Sequence, residues 1–313
     1  MTNSQHGTAN MDVDLLANSL TDTLAGTLPE NKQRDIATIV TTLHNALDTF
    51  LEHKTGRKAQ YRILKIILFG SHAKGTWVND PINGYVSDYD ILVVVSKNAL
   101  VEEYKVWQPA EEHIARHVSA PLGLIVHTLD DVNKMLRQGH YFFKDIREQG
   151  IELYSVAGKT LTTPGKLTRD EKLTIANKHF EQWFKSSTEF IMLLQYALEN
   201  KLLNKTAFML HQATEHFFSC TLLVCTNYLP KTHNIEHLRS LCAQHHQDFT
   251  RLFPADTKDN RRSFQRLKRA YVDARYSEHY EITSEELNYL ADEVTKLQTL
   301  VETVCKSKIE GFV

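Results

Sequence analysis

Two aspartates, Asp88 and Asp90, open the apolar run "SDYDILVVV", and Gly70 and Ser71 follow an earlier apolar run, "RILKIILF". In an extended strand, residues two apart project from the same face, so the two carboxylates are predicted to lie side by side. Neighbouring carboxylates repel each other unless a cation lies between them or one of them holds a proton. Mg²⁺ suits this arrangement because it takes a few carboxylates together with phosphate oxygens and water.

The glycine and serine add features that favour a phosphate. Gly70 has no side chain to block a close approach to the backbone, and Ser71 offers a hydroxyl where a helix is predicted to begin. Lys74 follows one helical turn after Gly70 and could place a positive charge on the same phosphates. The order of strand, Gly-Ser, loop and Asp-x-Asp therefore predicts a site for a metal ion and a triphosphate.

The elements that position these residues read as a mixed sheet with helices, which ends near residue 155. Two helices are predicted before the first strand, within 12–28 and from Pro29 onward, after a polar N-terminal stretch, 1–10. The second of them has an apolar face, and "EYKVWQPAEEHIARHVS" reads as a helix interrupted at Pro109. "APLGLIVHTL" is predicted to be a further strand, and "NDPING", before Asp88, an inserted turn. The face of the second helix comprises Ile36, Ile39, Val40, Leu43, Leu47, Phe50 and Leu51.

Glycine, proline and threonine gather in 156–167, where the apolar periodicity lapses, so this segment is the predicted linker. The predicted organisation is α+β, with a sheet domain over 1–155 and an all-α antiparallel bundle over 168–313. The helices of the bundle are predicted over 168–200, 204–227, 234–250, 257–279 and 284–308.

The length, net charge and composition are those of an ordinary globular protein. The 313 residues favour about two domains, and a net charge of −2 supplies no global basic field to attract nucleic acid. No segment reaches the roughly 20 apolar residues of a membrane helix. Four cysteines without CxxC spacing indicate buried thiols in a reducing compartment. We therefore expect a cytoplasmic protein without membrane contact.

"FGSHAKGTW" and "SDYDILVVV" resemble motifs of the polymerase β-like nucleotidyltransferase superfamily, in particular its minimal members. The resemblance implies Gly70 and Ser71 at the triphosphate of an NTP, expected to be ATP, and Asp88 and Asp90 as ligands of catalytic Mg²⁺ or Mn²⁺. It also implies transfer of a nucleoside monophosphate, expected to be AMP, to a protein or RNA acceptor.

The superfamily usually supplies a third carboxylate from a later strand, and His127 is the residue here best placed to match that position. Histidine is an unusual Mg²⁺ ligand. Asp130 and Asp131 follow closely but are predicted to open the next helix.

"NKTAFMLHQATEHFFSCTLL", "HNIEHLRSL" and "KRAYVDARYSEHYEI" resemble the HEPN family of helical bundles over about 168–308. This resemblance implies a homodimer formed through the bundle and a possible role in a toxin-antitoxin or defence module. Nuclease-active members carry an arginine and a later histidine, which Arg275 and His279 match with a spacing one residue short. On a continuous helix these two would share a face, although a solvated helix end or a structural pair explains them equally. Tyr276 and Tyr280 are candidate acceptors for self-modification by AMP.

Other readings remain open at this point. An aminoglycoside-type nucleotidyltransferase also appends helices to this catalytic domain, and a catalytically impaired domain could bind nucleotide and regulate a HEPN ribonuclease. The basic run over 258–269 is either a solvated helix face or a patch for RNA. The one-turn histidine pairs "HIARH" and "HNIEH" lack the partners of a zinc site, so they are read as ordinary helix residues.

Overall fold

The computed structural model describes residues 20, 23–24, 26–81 and 85–312. The polar stretch 1–10 and most of the first leading helix predicted within 12–28 lie outside these residues, as does the centre of the "NDPING" turn. The helices in chain order are α1 Glu30–Leu51, α2 Gly70–Lys74, α3 Tyr104–His117, α4 Leu129–Arg137, α5 Tyr141–Gln149, α6 Arg169–Glu199, α7 Leu203–Thr226, α8 Ile235–Ala243, α9 Lys258–Arg269, α10 Asp273–Tyr276 and α11 Ser284–Glu310. The strands are β1 Ile63–Phe69, β2 Asn79–Asp80, β3 Tyr85–Val86, β4 Tyr89–Val95, β5 Leu122–Thr128 and β6 Ile151–Ser155, and short 3-10 turns occupy Lys58–Gln60, Asn98–Leu100 and Gln247–Arg251.

The chain forms two compact units that interleave along the sequence. The sheet unit comprises the described residues of Met1–Gly75, Tyr89–Leu129 and Ile151–Lys159. The helical unit comprises Thr76–Asp88, Asp130–Gly150 and the described part of Thr160–Val313. Helices α4 and α5 therefore belong to the helical unit, although they precede the predicted linker. The predicted domain boundaries stay a prediction.

The sheet unit is built on a four-stranded mixed sheet in the order β5-β4-β1-β6. Strand β1 pairs antiparallel with both β4 and β6, while β4 and β5 run parallel. Every residue of β1 and β4 is buried, as expected for central strands that are covered on both faces. Helices α1 and α3 pack on each other, so the predicted mixed sheet with flanking helices is confirmed.

Two prolines of the sheet unit have different effects on their helices. Pro29 stands at the N-cap of α1, and the predicted apolar stripe from Ile36 to Leu47 faces the core. The prediction that Pro109 interrupts a helix is wrong, because α3 runs through it from Tyr104 to His117. Pro109 is the sixth residue of α3, where its ring opposes the carbonyl of Lys105 and removes the hydrogen bond to it, yet the helix continues on both sides.

The helical unit is centred on α7, which packs against α6, α8 and α11. Residues all round α7 are buried, as expected for a helix that is apolar over most of its surface. Helices α6 and α11 each begin with a capping box, formed by Thr168 with Glu171 and by Thr283 with Glu286. These helices and α7 lie where the sequence predicts them.

The two other predicted helices of the bundle are shorter than expected. The segment 234–250 divides into α8 and a 3-10 turn, and 257–279 divides into α9 and the four-residue α10. The chain then turns so that Tyr280 and Ile282 are buried, and the Tyr280 hydroxyl donates a hydrogen bond to the carbonyl of Arg266 at 3.0 Å. Burial of these side chains outweighs local helix propensity, which is a weak constraint.

The later part of the predicted linker, 160–167, is held against α4 within the helical unit. The Thr162 backbone N–H donates to Asn133 Oδ1 at 2.7 Å, and the Gly165 backbone N–H donates to the Leu136 carbonyl at 2.9 Å. This segment therefore has defined contacts in spite of its glycine and proline content. All four cysteines are buried and free, and none of the described helices is both long and apolar enough to cross a membrane.

Gly165 provides a test of this packing. A Cβ at this position would overlap the carbonyl oxygen of Arg137, so we expect Gly165→Ala to destabilise the helical unit by about 1–3 kcal/mol. Gly311→Ala is the matched control, because the added Cβ would meet its nearest atoms at an ordinary 3.5 Å. Urea unfolding followed by circular dichroism measures both variants. A Gly165→Ala protein as stable as Gly311→Ala would contradict the described contact.

Candidate functional site

Asp88 and Asp90 are both almost completely buried, with 2% and 1% of their surface exposed. Asp90 is the second residue of β4, whereas Asp88 precedes the strand and belongs to the helical unit. Within that unit, His237 Nδ1 donates a hydrogen bond to Asp88 Oδ2 at 3.1 Å. A buried carboxylate loses its hydration and needs such a partner, so His237 stabilises the charge of Asp88.

The cap of α8 fixes His237 in position. Asn234 precedes the helix, and its Oδ1 accepts hydrogen bonds from the backbone N–H groups of Glu236 and His237 at 3.1 and 3.2 Å. His237 therefore lies in the first turn of α8, and its side chain is 7% exposed. No local pattern predicts this contact, because "HNIEH" indicates only an ordinary helix and the two residues are 149 positions apart.

Gly70 and Ser71 lie at the same end of the sheet as Asp90. In the antiparallel pairing of β1 with β4, Phe69 is opposite Asp90, so the chain enters α2 beside that aspartate. Gly70 is buried and has a φ of 72°, a conformation that favours glycine. Ser71 is half-buried and Lys74 is exposed. Since α2 has only five residues, its dipole is short, and the backbone turn and Lys74 are the features that could hold a phosphate.

The structure does not bring His127 to the aspartates, which corrects its assignment as a metal ligand. In the parallel pairing of β4 with β5, His127 is opposite Val94, while Gly123 is opposite Asp90. Four residues along a strand correspond to roughly 13 Å. The neighbours of Gly123 on β5 are leucines, so this strand supplies no third carboxylate there. Asp130 and Asp131 lie in the first turn of α4, as predicted.

Arg275 and His279 do not share a continuous helix, so that part of the interpretation is wrong. Helix α10 ends at Tyr276, and His279 lies in the turn that follows. The Arg275 guanidinium lies 4.8, 4.5 and 4.9 Å from the ring centres of Phe208, Tyr271 and Tyr276. His279 has 88% of its side chain exposed, and its ring is 3.7 Å from the equally exposed carboxylate of the preceding residue.

The two candidate acceptor tyrosines differ sharply. Tyr276 is 76% exposed, whereas Tyr280 is 7% exposed and uses its hydroxyl in the bond to Arg266. Burial also raises the pKa of Tyr280 above its ordinary value. Of this pair, only Tyr276 offers an accessible hydroxyl, which corrects the assignment of Tyr280 as a second acceptor.

The basic run of α9 is mostly paired within the chain. Arg262 and Arg266 both bind Glu286, and Lys268 and Arg269 bind carboxylates at 2.6 Å. Four cations of this run therefore have an intramolecular partner, and the net field available to an RNA is small. The reading of 258–269 as an ordinary helix face is the better one.

A group of polar residues in the helical unit escaped the sequence interpretation. His211 is completely buried on α7, and its Nδ1 lies 3.7 Å from Oε2 of Glu215, one turn later. His233 Nδ1 lies 3.0 Å from Oε1 of the same carboxylate, and its ring stacks on Tyr271 at 3.9 Å. Desolvation, with His233 and Arg275 nearby, lowers the pKa of His211 to about 4. The only sequence signal is two polar residues four apart on an apolar helix.

His211 makes stability depend on pH. Its folded-state pKa of about 4 lies below the ordinary 6.5, so the unfolded chain takes up the proton first as the pH falls. Its contribution is therefore complete above about pH 6.5 and is lost toward pH 4. We expect the loss of unfolding free energy between pH 7 and pH 5 to be smaller in His211→Gln, by at most roughly 2 kcal/mol. Urea unfolding at both pH values tests this, and an unchanged loss in the variant would contradict it.

Comparison with known proteins assigns the helical part of the chain. No curated protein matches the sequence. One protein-family model matches the chain, over residues 180–304, and this match favours the predicted HEPN resemblance. It adds nothing in favour of a nucleotidyltransferase domain in the preceding residues. It runs from within α6 to within α11 and includes His211, Glu215, His233, Arg275 and His279. Residues 180–304, in the C-terminal helical part of the chain, thus match the HEPN domain family.

Proposed function

We propose that the chain is a metal-dependent nucleotidyltransferase that transfers AMP from ATP to a protein or RNA hydroxyl and is coupled to its HEPN region. The observation that carries the proposal is the burial of Asp90 at the strand end where Gly70 and Ser71 begin α2, together with the burial of Asp88 two positions earlier in the chain. Burying two carboxylates two residues apart is costly, and a function that requires both charges explains why the cost is tolerated.

The ligand atoms that Asp88 and Asp90 offer suit a divalent cation. Carboxylate oxygens are ligands of Mg²⁺ and Mn²⁺, and Asp88 is oriented by His237, as ligating carboxylates commonly are by a hydrogen-bond partner. Asp88 and Asp90 would hold the ion, which when bound stabilises the charge that develops on the phosphate oxygens. Gly70 leaves room for the triphosphate, and Lys74 offsets its charge. The acceptor oxygen bonds to the α-phosphorus as pyrophosphate leaves.

Strand β5 has no carboxylate opposite Asp90, and this absence is expected to lower the rate of nucleotidyl transfer. A site with two carboxylates is expected to hold its ion more weakly than one with three, so transfer would be slow or would need excess metal. If the ion were bound too weakly for any transfer, the sheet unit would bind nucleotide without transferring it and would regulate the HEPN region. An aminoglycoside acceptor is a further outcome, because the described residues do not define the acceptor.

Labelling with α-³²P ATP tests the transfer. We expect wild-type protein with Mg²⁺ or Mn²⁺ to place label on protein or RNA, and Asp88→Asn/Asp90→Asn to reduce it to background because both charges are lost. Asparagine at 88 retains an oxygen that can accept from His237. The control is Asp130→Asn/Asp131→Asn, which removes two carboxylates from the first turn of α4.

Three results separate the alternatives in this assay. Label on an aminoglycoside, rather than on protein or RNA, would identify that class of acceptor. Calorimetric binding of ATP without pyrophosphate release would favour the regulator. Equal labelling by wild type and the Asp88/Asp90 variant would end the proposal.

Tyr276 is the proposed acceptor within the chain, or across a dimer formed through the HEPN region. Its exposed hydroxyl is available, while that of Tyr280 is bonded internally. We expect mass spectrometry after incubation with ATP and Mg²⁺ to find an added AMP on wild type and Tyr280→Phe but not on Tyr276→Phe. Modification of Tyr280, or label unchanged in Tyr276→Phe, would exclude this acceptor.

We infer a second activity, RNA cleavage without metal, for the helical unit. The match to the HEPN family and the position of Arg275 favour it, because HEPN domains are often ribonucleases and a guanidinium can hold a phosphate. Together the two activities would suit a toxin-antitoxin or defence module, in which AMP transfer near Arg275 controls cleavage. The cytoplasm is the proposed location.

A further inference from the structure

We propose that His233, oriented by Glu215, is the proton-transfer group of the helical unit, in the role that sequence spacing gives to His279. This inference rests on the proposed RNA cleavage and names the residues that would perform it. Its basis is a histidine that is held by a carboxylate, lies on an aromatic ring and remains accessible.

The contact between Glu215 and His233 has the geometry of an acid–base dyad. His233 Nδ1 lies 3.0 and 3.1 Å from the two oxygens of Glu215. A carboxylate accepts, so Nδ1 carries the proton and Nε2 is left with a lone pair for a substrate. The Glu215 side chain is 12% exposed and that of His233 is 54% exposed, so the carboxylate is sheltered while the imidazole reaches solvent.

His211 is neutral and does not compete with His233 for the carboxylate of Glu215. It lies 3.7 Å from Glu215 Oε2 and is completely buried, and its pKa of about 4 keeps it neutral at pH 7. A protonated His211 would compete for the carboxylate. The other polar partner of Glu215 is Gln212, an uncharged side chain that donates to Oε2 at 3.2 Å.

Tyr271 contacts both the imidazole of the dyad and a nearby cation, Arg275. The ring of His233 is stacked on Tyr271 with an interplanar angle of 17°, and the Arg275 guanidinium lies 4.5 Å from the centre of the same ring. The Arg275 Nε–H donates to the Tyr271 carbonyl at 2.6 Å, which holds the guanidinium there. His233 and Arg275 therefore both contact the ring of Tyr271, and we assign the phosphate of the substrate to Arg275.

His279 has none of these supports. It lies beyond the end of α10, with 88% of its side chain exposed, and its nearest carboxylate, at 3.7 Å, belongs to the equally exposed Glu278. An exposed pair of this kind is held weakly. An imidazole that transfers a proton must be positioned, because misplacement by about 1 Å can cost roughly 100-fold in rate.

The chemical step follows from these positions. Nε2 of His233 takes the proton of a ribose 2′-hydroxyl, and the 2′-oxygen bonds to the adjacent phosphorus. The P–O5′ bond breaks, its electron pair stays on the 5′-oxygen, and water supplies the proton for that oxygen. The products are a 2′,3′-cyclic phosphate and a 5′-hydroxyl. His233 is the catalytic residue, Arg275 binds the phosphate, and Glu215 is a positioning residue.

The test uses the full chain, checked by intact mass to be unmodified, and 5′-labelled single-stranded RNA in EDTA. We expect His233→Ala to reduce cleavage by about 100-fold or more and His279→Ala to retain it. Added imidazole should restore part of the activity of His233→Gly, which loss of a merely structural histidine would not allow. Glu215→Gln should reduce cleavage and change the ¹⁵N shifts of His233 Nδ1 and Nε2, because the tautomer is no longer fixed.

The outcomes are separable. Cleavage by wild type that depends on His279 and not on His233 would overturn the dyad and leave RNA cleavage standing. If both alanine variants are inactive, imidazole rescue of His233→Gly supports the dyad, and its failure overturns it. A wild-type protein that cleaves no RNA in EDTA would end both the proposed RNA cleavage and the dyad.

Discussion

The burial of two carboxylates, Asp88 and Asp90, is the physical constraint on which the proposed metal site depends. A carboxylate removed from water loses hydration worth several kcal/mol, and the loss must be offset by hydrogen bonds, opposite charge or a bound cation. Asp88 receives a hydrogen bond from His237, whose place is set by the cap of α8. Asp90 is the second residue of an otherwise apolar strand that is buried throughout. Selection for structure alone would favour uncharged residues here, so the two charges point to function.

The same constraint operates in the helical unit with different residues. Helix α7 is apolar over most of its surface, yet it carries His211 and Glu215 one turn apart. His211 is accommodated in its neutral form, because its pKa is lowered to about 4, while Glu215 keeps a hydrogen-bond partner in His233 at the edge of the unit. His211 and Glu215, the polar groups on this core helix, thus lie beside the accessible imidazole of His233, and Arg275 contacts the same aromatic ring as that imidazole. This arrangement is what a metal-independent acid–base site requires.

Local patterns predicted much of the fold. The strands β1 and β4 read as short apolar runs, and α6, α7 and α11 follow from periodicity and capping residues, because these signals depend on neighbours in the sequence. The predicted helix bounds were wrong where contacts between residues distant in the sequence determine the end of a helix. Burial of Tyr280 and Ile282 ends the helix that was expected to carry both Arg275 and His279.

Site residues followed the same division. Asp88, Asp90, Gly70 and Ser71 could be proposed from the sequence because strand alternation and glycine chemistry are visible there, and their role stays a prediction. His127 was misplaced because strand register, which no local pattern fixes, sets Gly123 opposite Asp90. His237 and His233 were missed because their carboxylate partners are 149 and 18 residues away, and "HNIEH" suggests only a helix with two histidines.

In the proposed site, the two buried aspartates hold a divalent cation together with a nucleoside triphosphate. Electron paramagnetic resonance of Mn²⁺, titrated into the full chain with a non-hydrolysable ATP analogue, measures this binding. We expect tight nucleotide-dependent binding of Mn²⁺ that is lost in Asp90→Asn, a variant that keeps the shape of the side chain. Absence of binding in wild type, or equal binding in the variant, would contradict it.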